Sequence, residues 1–115
     1  MKTESYLLIV QVHQEKHAED VVVALTEVGV KDVYSLTGVN EFRRLPHNLA
    51  LFAGFKGELG KSSSLSKIFF AVVDDAEVPE LLMNALKHAD IDFIQDDLGS
   101  ITLLPVHSFH HFSKA

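Results

Sequence analysis

The chain contains no cysteine, so disulfides, thiolate zinc sites and cysteine nucleophiles are excluded, and thiol usage says nothing about redox compartment. Arginine is almost absent as well: Arg43 and Arg44 are the only two, and they are adjacent. Long apolar runs are missing. The first apolar-rich stretch, Tyr6 to Val12, is interrupted by Gln11 and is too short and too polar for a signal peptide or a spanning helix. A soluble cytoplasmic protein with no membrane insertion is expected. No Ser-His-Asp set or paired-carboxylate motif stands out, so the expectation is a protein that is not an enzyme.

What remains is ordinary for a globular domain. With 115 residues, 47% of them hydrophobic and 23% charged, the chain corresponds to one domain, residues 1–115, able to bury a core without metals or disulfides. Its net charge is −6, unevenly spread. Residues 40–67 hold five cations (Arg43, Arg44, Lys56, Lys61, Lys67) against Glu41 and Glu58, a surplus of three, so the remainder carries −9. An acidic body repels nucleic acid. The one basic segment suits a small anionic ligand or an acidic partner surface.

Hydrophobic periodicity divides the chain into two similar halves. Tyr6 to Val12 reads as a strand buried on both faces or nearly so. From Glu15 the period changes, and Ala18, Val21, Val22, Leu25 and Val28 mark one face of a helix that Gly29 ends. Val33 to Thr37 suits a second strand. After a long loop, Lys67 to Val73 reads as a third strand. Asp74 and Asp75 can cap a following helix, and Glu77 stands at capping-box spacing from Asp74. Pro79 is tolerable only in a first turn, so that helix must start close by. Leu81, Leu82, Ala85 and Leu86 form its apolar face, Asp90 to Asp97 an acidic loop, and Gly99 to Leu104 a last strand that Pro105 should stop. The expected fold is α+β: a ferredoxin-like βαββαβ sandwich, one antiparallel four-stranded sheet with two helices on one face. The uncovered sheet face then calls for oligomerisation.

Four motifs bear on chemistry. Gly60-Lys61-Ser62 nearly spells a phosphate-binding loop, but Phe55 stands where glycine is required and a strand follows instead of a helix. A Gly/Ser-rich loop is the better reading. His107, His110 and His111 would share a helical turn and form a metal chelate; the plain alternative is a tail that docks Phe109 and Phe112. His13 and His17 read as surface. The acidic run from Asp90 to Asp97 lacks the glycine of a calcium loop, with Gln95 in its place, and reads as a solvated loop.

The βαβ–long loop–βαβ layout, with Gly99 in a turn just before the last strand, resembles the P-II-like (nitrogen-regulatory) signalling superfamily over essentially the whole chain. Residues 40–66 occupy the position of that family's T-loop, and His47 to Gly54 looks like a degraded form of its central motif. Thr37-Gly38 sits where the family's loop leaves its strand. The resemblance implies a homotrimer that binds nucleotides or related anions in clefts between subunits and signals through the loop. The loop lacks the tyrosine that nitrogen-regulatory members modify. Ser100 replaces a lysine, and His110-His111 occupies the region of the arginines that hold ATP phosphates, which argues against typical ATP or ADP sensing. The tail, Pro105-Val106-x-x-Phe109-His110-x-Phe112, is similar to the ending of cyclic-di-AMP receptors in the same superfamily, and Thr37-Gly38 with Phe42-Arg43 loosely resembles their ligand loop.

The resemblance implies a signal-transduction protein with no certain cofactor, whose effector is a nucleotide or cyclic dinucleotide. Candidate ligand-binding residues are Thr37, Gly38, Phe42, Arg43, Arg44, Gly99 and Ser100. Leu49, Leu51, Phe52 and Phe55 would contact an unidentified protein partner, a transporter or an enzyme. The alternatives are a trimeric divalent-metal-tolerance protein using His107, His110 and His111, and an adaptor that binds no small molecule.

Overall fold

In the computed structural model, which describes residues 4–45 and 65–114, the chain folds in the order β1 (Ser5–Val12), a 3-10 turn (Glu15–His17), α1 (Ala18–Glu27), β2 (Tyr34–Val39), a one-turn α2 (Glu41–Arg44), β3 (Leu65–Val73), α3 (Val78–His88) and β4 (Gly99–Val106). The strands form one antiparallel sheet in the order β2-β3-β1-β4. This is the ferredoxin-like arrangement expected from the sequence.

The period-2 pattern of the strands decides which face is covered. Leu8, Val10 and Val12 of β1 stand in register with Ala71, Phe69 and Lys67 of β3. Both helices pack on this face. Val21, Ala24 and Leu25 of α1 and Val78, Leu82 and Leu86 of α3 close the core, with Val30, Ile91 and Leu98 contributed by the connections. The helix stripes are narrower than the apolar spacing alone indicates: Val22 and Leu81 sit off the buried faces and stay exposed.

The ends of the elements have specific causes. Gly29, at φ 88°, turns the chain out of α1 while the Val30 amide bonds back to the Leu25 carbonyl (2.9 Å). Asp90, at φ 61°, does the same after α3, with the Ile91 amide reaching the Leu86 carbonyl (2.9 Å). The capping box from Asp74 is not formed; the Asp75 carboxylate instead accepts the Glu77 amide (2.9 Å), and Pro79 lies in the first turn of α3 as expected. Pro105 does not stop β4. The strand runs to Val106, and Pro105 stands opposite Tyr6. An edge strand turns alternate amides outward, so a residue without an N–H costs no ladder bond there.

The opposite sheet face carries Leu7 and Ile9 of β1, Ile68, Phe70 and Val72 of β3, Leu104 of β4 and Leu36 of β2. Among the described residues no helix or strand covers it, and no charged side chain lies on it. Neither edge strand, β2 (YSLTGV) nor β4 (GSITLLPV), contains a charged residue.

Candidate functional site

The strand register places the predicted ligand residues at one end of the sheet. Thr37 and Gly38 stand opposite Lys67 and Ser66, Val12 stands opposite Lys67 and Gly99, and Gln11 stands opposite Ser100. These pairs lie where β1 leaves for α1, where β2 leaves for residues 40–64 and where β4 begins. The two predicted halves are nonetheless on opposite edges. With neighbouring strands ~4.8 Å apart, β2 and β4 are separated by about 14 Å within one chain. A single copy therefore does not bring Thr37 and Gly38 together with Gly99 and Ser100.

Between these edges lies a polar row of Gln11, His13, Ser66 and Ser100, of which Ser100 alone was a predicted ligand residue. His13 continues the alternation of Ile9 and Gln11 and so belongs to the uncovered face. Its Nδ1 lies 3.3 Å from the hydroxyl of Ser66, the buried polar residue of the described chain at 7% exposure. The His13 amide donates to the Leu98 carbonyl (2.8 Å). Beside it, Ser100 Oγ donates to Gln11 Oε1 (3.4 Å). His13 is thus half-buried and partnered, not the free surface residue its position in the sequence implies. The usable signal was the strand alternation; the partner, 53 residues away, was not legible.

Gly99 has a structural reason to be glycine. Its φ is 151°, and a Cβ there would come 2.7 Å from the Gln11 carbonyl carbon, with the carbonyl oxygen nearer still. Gly38 is less constrained, since a Cβ would meet only the Ile68 Cδ1 at 2.7 Å. The arginine segment is not an irregular loop at its start. Glu41 to Arg44 form one helical turn, closed by the Arg44 amide on the Asn40 carbonyl (2.9 Å). The i,i+3 spacing puts Glu41 beside Arg44, whose Nε and Nη2 both reach Glu41 Oε2 at 2.6 Å. An incoming anion at Arg44 must compete with this carboxylate. Phe42 is exposed on the same turn. The Arg43 side chain lies outside the described residues. So do Leu49, Leu51, Phe52 and Phe55, the His47 to Gly54 motif and Gly60-Lys61-Ser62.

The acidic run uses its carboxylates to build a turn. Asp92 Oδ1 accepts the amides of Ile94 (2.8 Å) and Gln95 (2.9 Å), and Asp96 Oδ2 accepts the Asp92 amide (2.8 Å). The amides of Gln95 and then Ile94 hold the Asp92 carboxyl below its ordinary value against the opposing effect of desolvation, with Lys87 adding the smallest push downward. Gln14 Nε2 donates to the Asp96 carbonyl (3.0 Å), fastening this turn to the β1–α1 junction.

The tail lies at the other end of the sheet. Seven residue steps of β1 separate Ser5 from Val12, about 24 Å of strand. Ser108 Oγ meets His110 Nε2 at 2.9 Å, and the rings of His110 and Phe112 stack at 6.4 Å. His107, His110 and His111 are exposed, and among the described residues no three His, Asp or Glu side chains gather to hold a metal ion. Also among the described residues, no helix is long and apolar enough to cross a membrane.

Comparison with known proteins adds support for the fold. No family model matches the chain, and no curated protein matches it. A solved structure, that of a functionally unknown protein from Pediococcus pentosaceus ATCC 25745, superposes with a TM-score of 0.56 at 18% identity, covering 96% of this chain and 100% of that one. At that identity the likeness establishes a shared fold alone.

Proposed function

We propose that this protein is a non-enzymatic, P-II-like regulatory protein, a homotrimer that binds a small nucleotide-type anion where the β2 edge of one copy meets the β4 edge of the next. The observation that supports this reading is the placement of the candidate residues. Thr37, Gly38 and the start of the Arg43–Arg44 segment occupy one edge, and Gly99 and Ser100 occupy the other, at the same end of the sheet. A site built from both edges needs a second copy.

Two features support self-association. Exposed edge strands are normally protected by charges, and these two have none. The uncovered face is also free of charge in a chain that is 23% charged, the depletion found at interface centres. An isolated arginine pair suits a phosphate, which guanidinium recognises through paired hydrogen bonds. The chain leaves β2 and enters β3 at the same end, so an effector bound there adjoins the segment between them, which would contact a partner protein, a transporter or an enzyme.

The test is equilibrium binding of labelled cyclic-di-AMP and of ATP to the wild-type chain, to a variant carrying Arg43→Ala and Arg44→Ala, and to Ser100→Asp. The reading expects saturable binding to the wild type, weakened about tenfold or more when either edge is altered, since charge-assisted phosphate contacts are the strong ones. Binding that is indifferent to both edges, or absent for every nucleotide, contradicts it.

A further inference from the structure

We infer that the C-terminal tail is an intermolecular arm, with Phe109 and Phe112 of one copy seated on the uncovered sheet face of a second copy. This rests on the self-association in the proposed function and goes beyond it by naming the segment that holds the copies together. After Val106 the chain leaves the sheet, and Phe112 is 88% exposed and Phe109 51% exposed. The tail borders a groove of about 980 Å³ that is lined by Leu7, Tyr34, Phe70 and Val72 of the uncovered face and by the charged side chains of Lys31, Asp32, Asp74 and Asp75. The tail has an apolar floor within reach, yet Phe112 remains in solvent. An arm that closed on its own chain would bury that ring.

The area fits a second copy. Tyr34 and Leu36 are 71% and 60% exposed, and Leu104 and Val72 add smaller shares. Together with the two tail phenylalanines, at 150–250 Å² for each aromatic, this is on the order of 600 Å² of apolar surface. That reaches the upper limit of what a monomer leaves in water and approaches the ~800 Å² that each partner contributes to a standard interface. A foreign partner could cover the face, but it would leave the tail aromatics of the same chain unpartnered. An exchange between identical copies satisfies face and arm together.

The absence of cysteine makes the experiment direct. Two full-length single variants, Lys31→Cys and Ser113→Cys, are mixed and treated with a short bis-maleimide, beside the double variant in one chain and beside Phe109→Ser/Phe112→Ser followed by light scattering. Lys31 borders the groove and Ser113 follows Phe112, and both are exposed, so the substitutions leave the core, the apolar floor and the two phenylalanines intact. The inference expects a covalent link between the two singly substituted chains. It also expects the serine variant to dissociate at a concentration about tenfold or more above wild type, as for loss of aromatic anchors. A link formed only within the double variant's own chain overturns the inference, because the arm then closes on itself. A serine variant that assembles as tightly as wild type overturns it while leaving the self-association reading intact. A wild-type chain that is monomeric at every concentration overturns both.

Discussion

Replacing Gly99 by alanine separates two roles for this glycine, as backbone element and as ligand contact. At φ 151°, a side chain is strained whatever the surrounding space, which costs about 1–3 kcal/mol. The new Cβ would also press on the Gln11 carbonyl and lie 3.2 Å from Val12 Cα, all backbone atoms of the central strand β1. Backbone cannot rotate away, so β4 must peel from β1 at the Val12–Gly99 pairing. The sum is about 3–5 kcal/mol, the range reserved for core-level damage. At about 4 °C per kcal/mol for a domain of this size, the melting temperature falls by roughly 12–20 °C. Gly38→Ala is the internal control. Its Cβ meets only the end of the Ile68 side chain, which can change rotamer for about 0.5–1.5 kcal/mol. Thermal melts followed by circular dichroism should therefore rank Gly99→Ala far below Gly38→Ala. A Gly99→Ala protein that melts within ~2 °C of wild type refutes the argument. The corollary is practical: loss of ligand in Gly99→Ala reports a damaged sheet, whereas Gly38 can be substituted to probe the site.

Other expectations follow from single residues. Leu82 is completely buried between α3 and the sheet, and Leu82→Ala should cost about 2–5 kcal/mol in urea denaturation. Asp92 has a folded-state value held below the ordinary carboxylate value by the amides of Gln95 and Ile94. Its stabilising contribution is thus present above the ordinary carboxylate value and lost as pH falls through the lowered one; Asp92→Asn should flatten that part of the acid decline in stability, and an unchanged decline contradicts the assignment. Glu41→Gln should leave stability within about 1 kcal/mol, because the Glu41–Arg44 pair is exposed. The same variant should tighten anion binding severalfold in calorimetric titration by freeing Arg44.

The order of elements was legible because the hydrophobic period changes between strand and helix twice along the chain. Gly29 and Pro79 marked element ends through conformational limits that act locally. The misreadings concern facts that arise only between elements. Pro105 looked like a terminator because proline is excluded from central strands, and nothing local shows that β4 is an edge. Val22 and Leu81 fit a helical apolar period, yet the width of the buried stripe is set by the sheet beneath. His13 was on the page as the next residue in the β1 alternation, but Ser66 reaches it only through the β1–β3 register. The candidate site was legible as residues and not as a place. Thr37 and Gly99 fall on opposite edges because of strand order, which the ferredoxin-like topology already implies.

The most direct test of the sensor reading is a thermal-shift panel on the wild-type protein: ATP, ADP, AMP, cyclic-di-AMP, cyclic AMP, bicarbonate, and zinc, copper and nickel ions. A ligand that binds only the folded state at a hundred times its dissociation constant adds about 2.7 kcal/mol, close to 10 °C here. The account predicts such a rise for at least one nucleotide and its loss when Arg43 and Arg44 become alanine. A rise with metal ions alone, abolished by alanine at His107, His110 and His111, would contradict it, and so would no shift with any member of the panel.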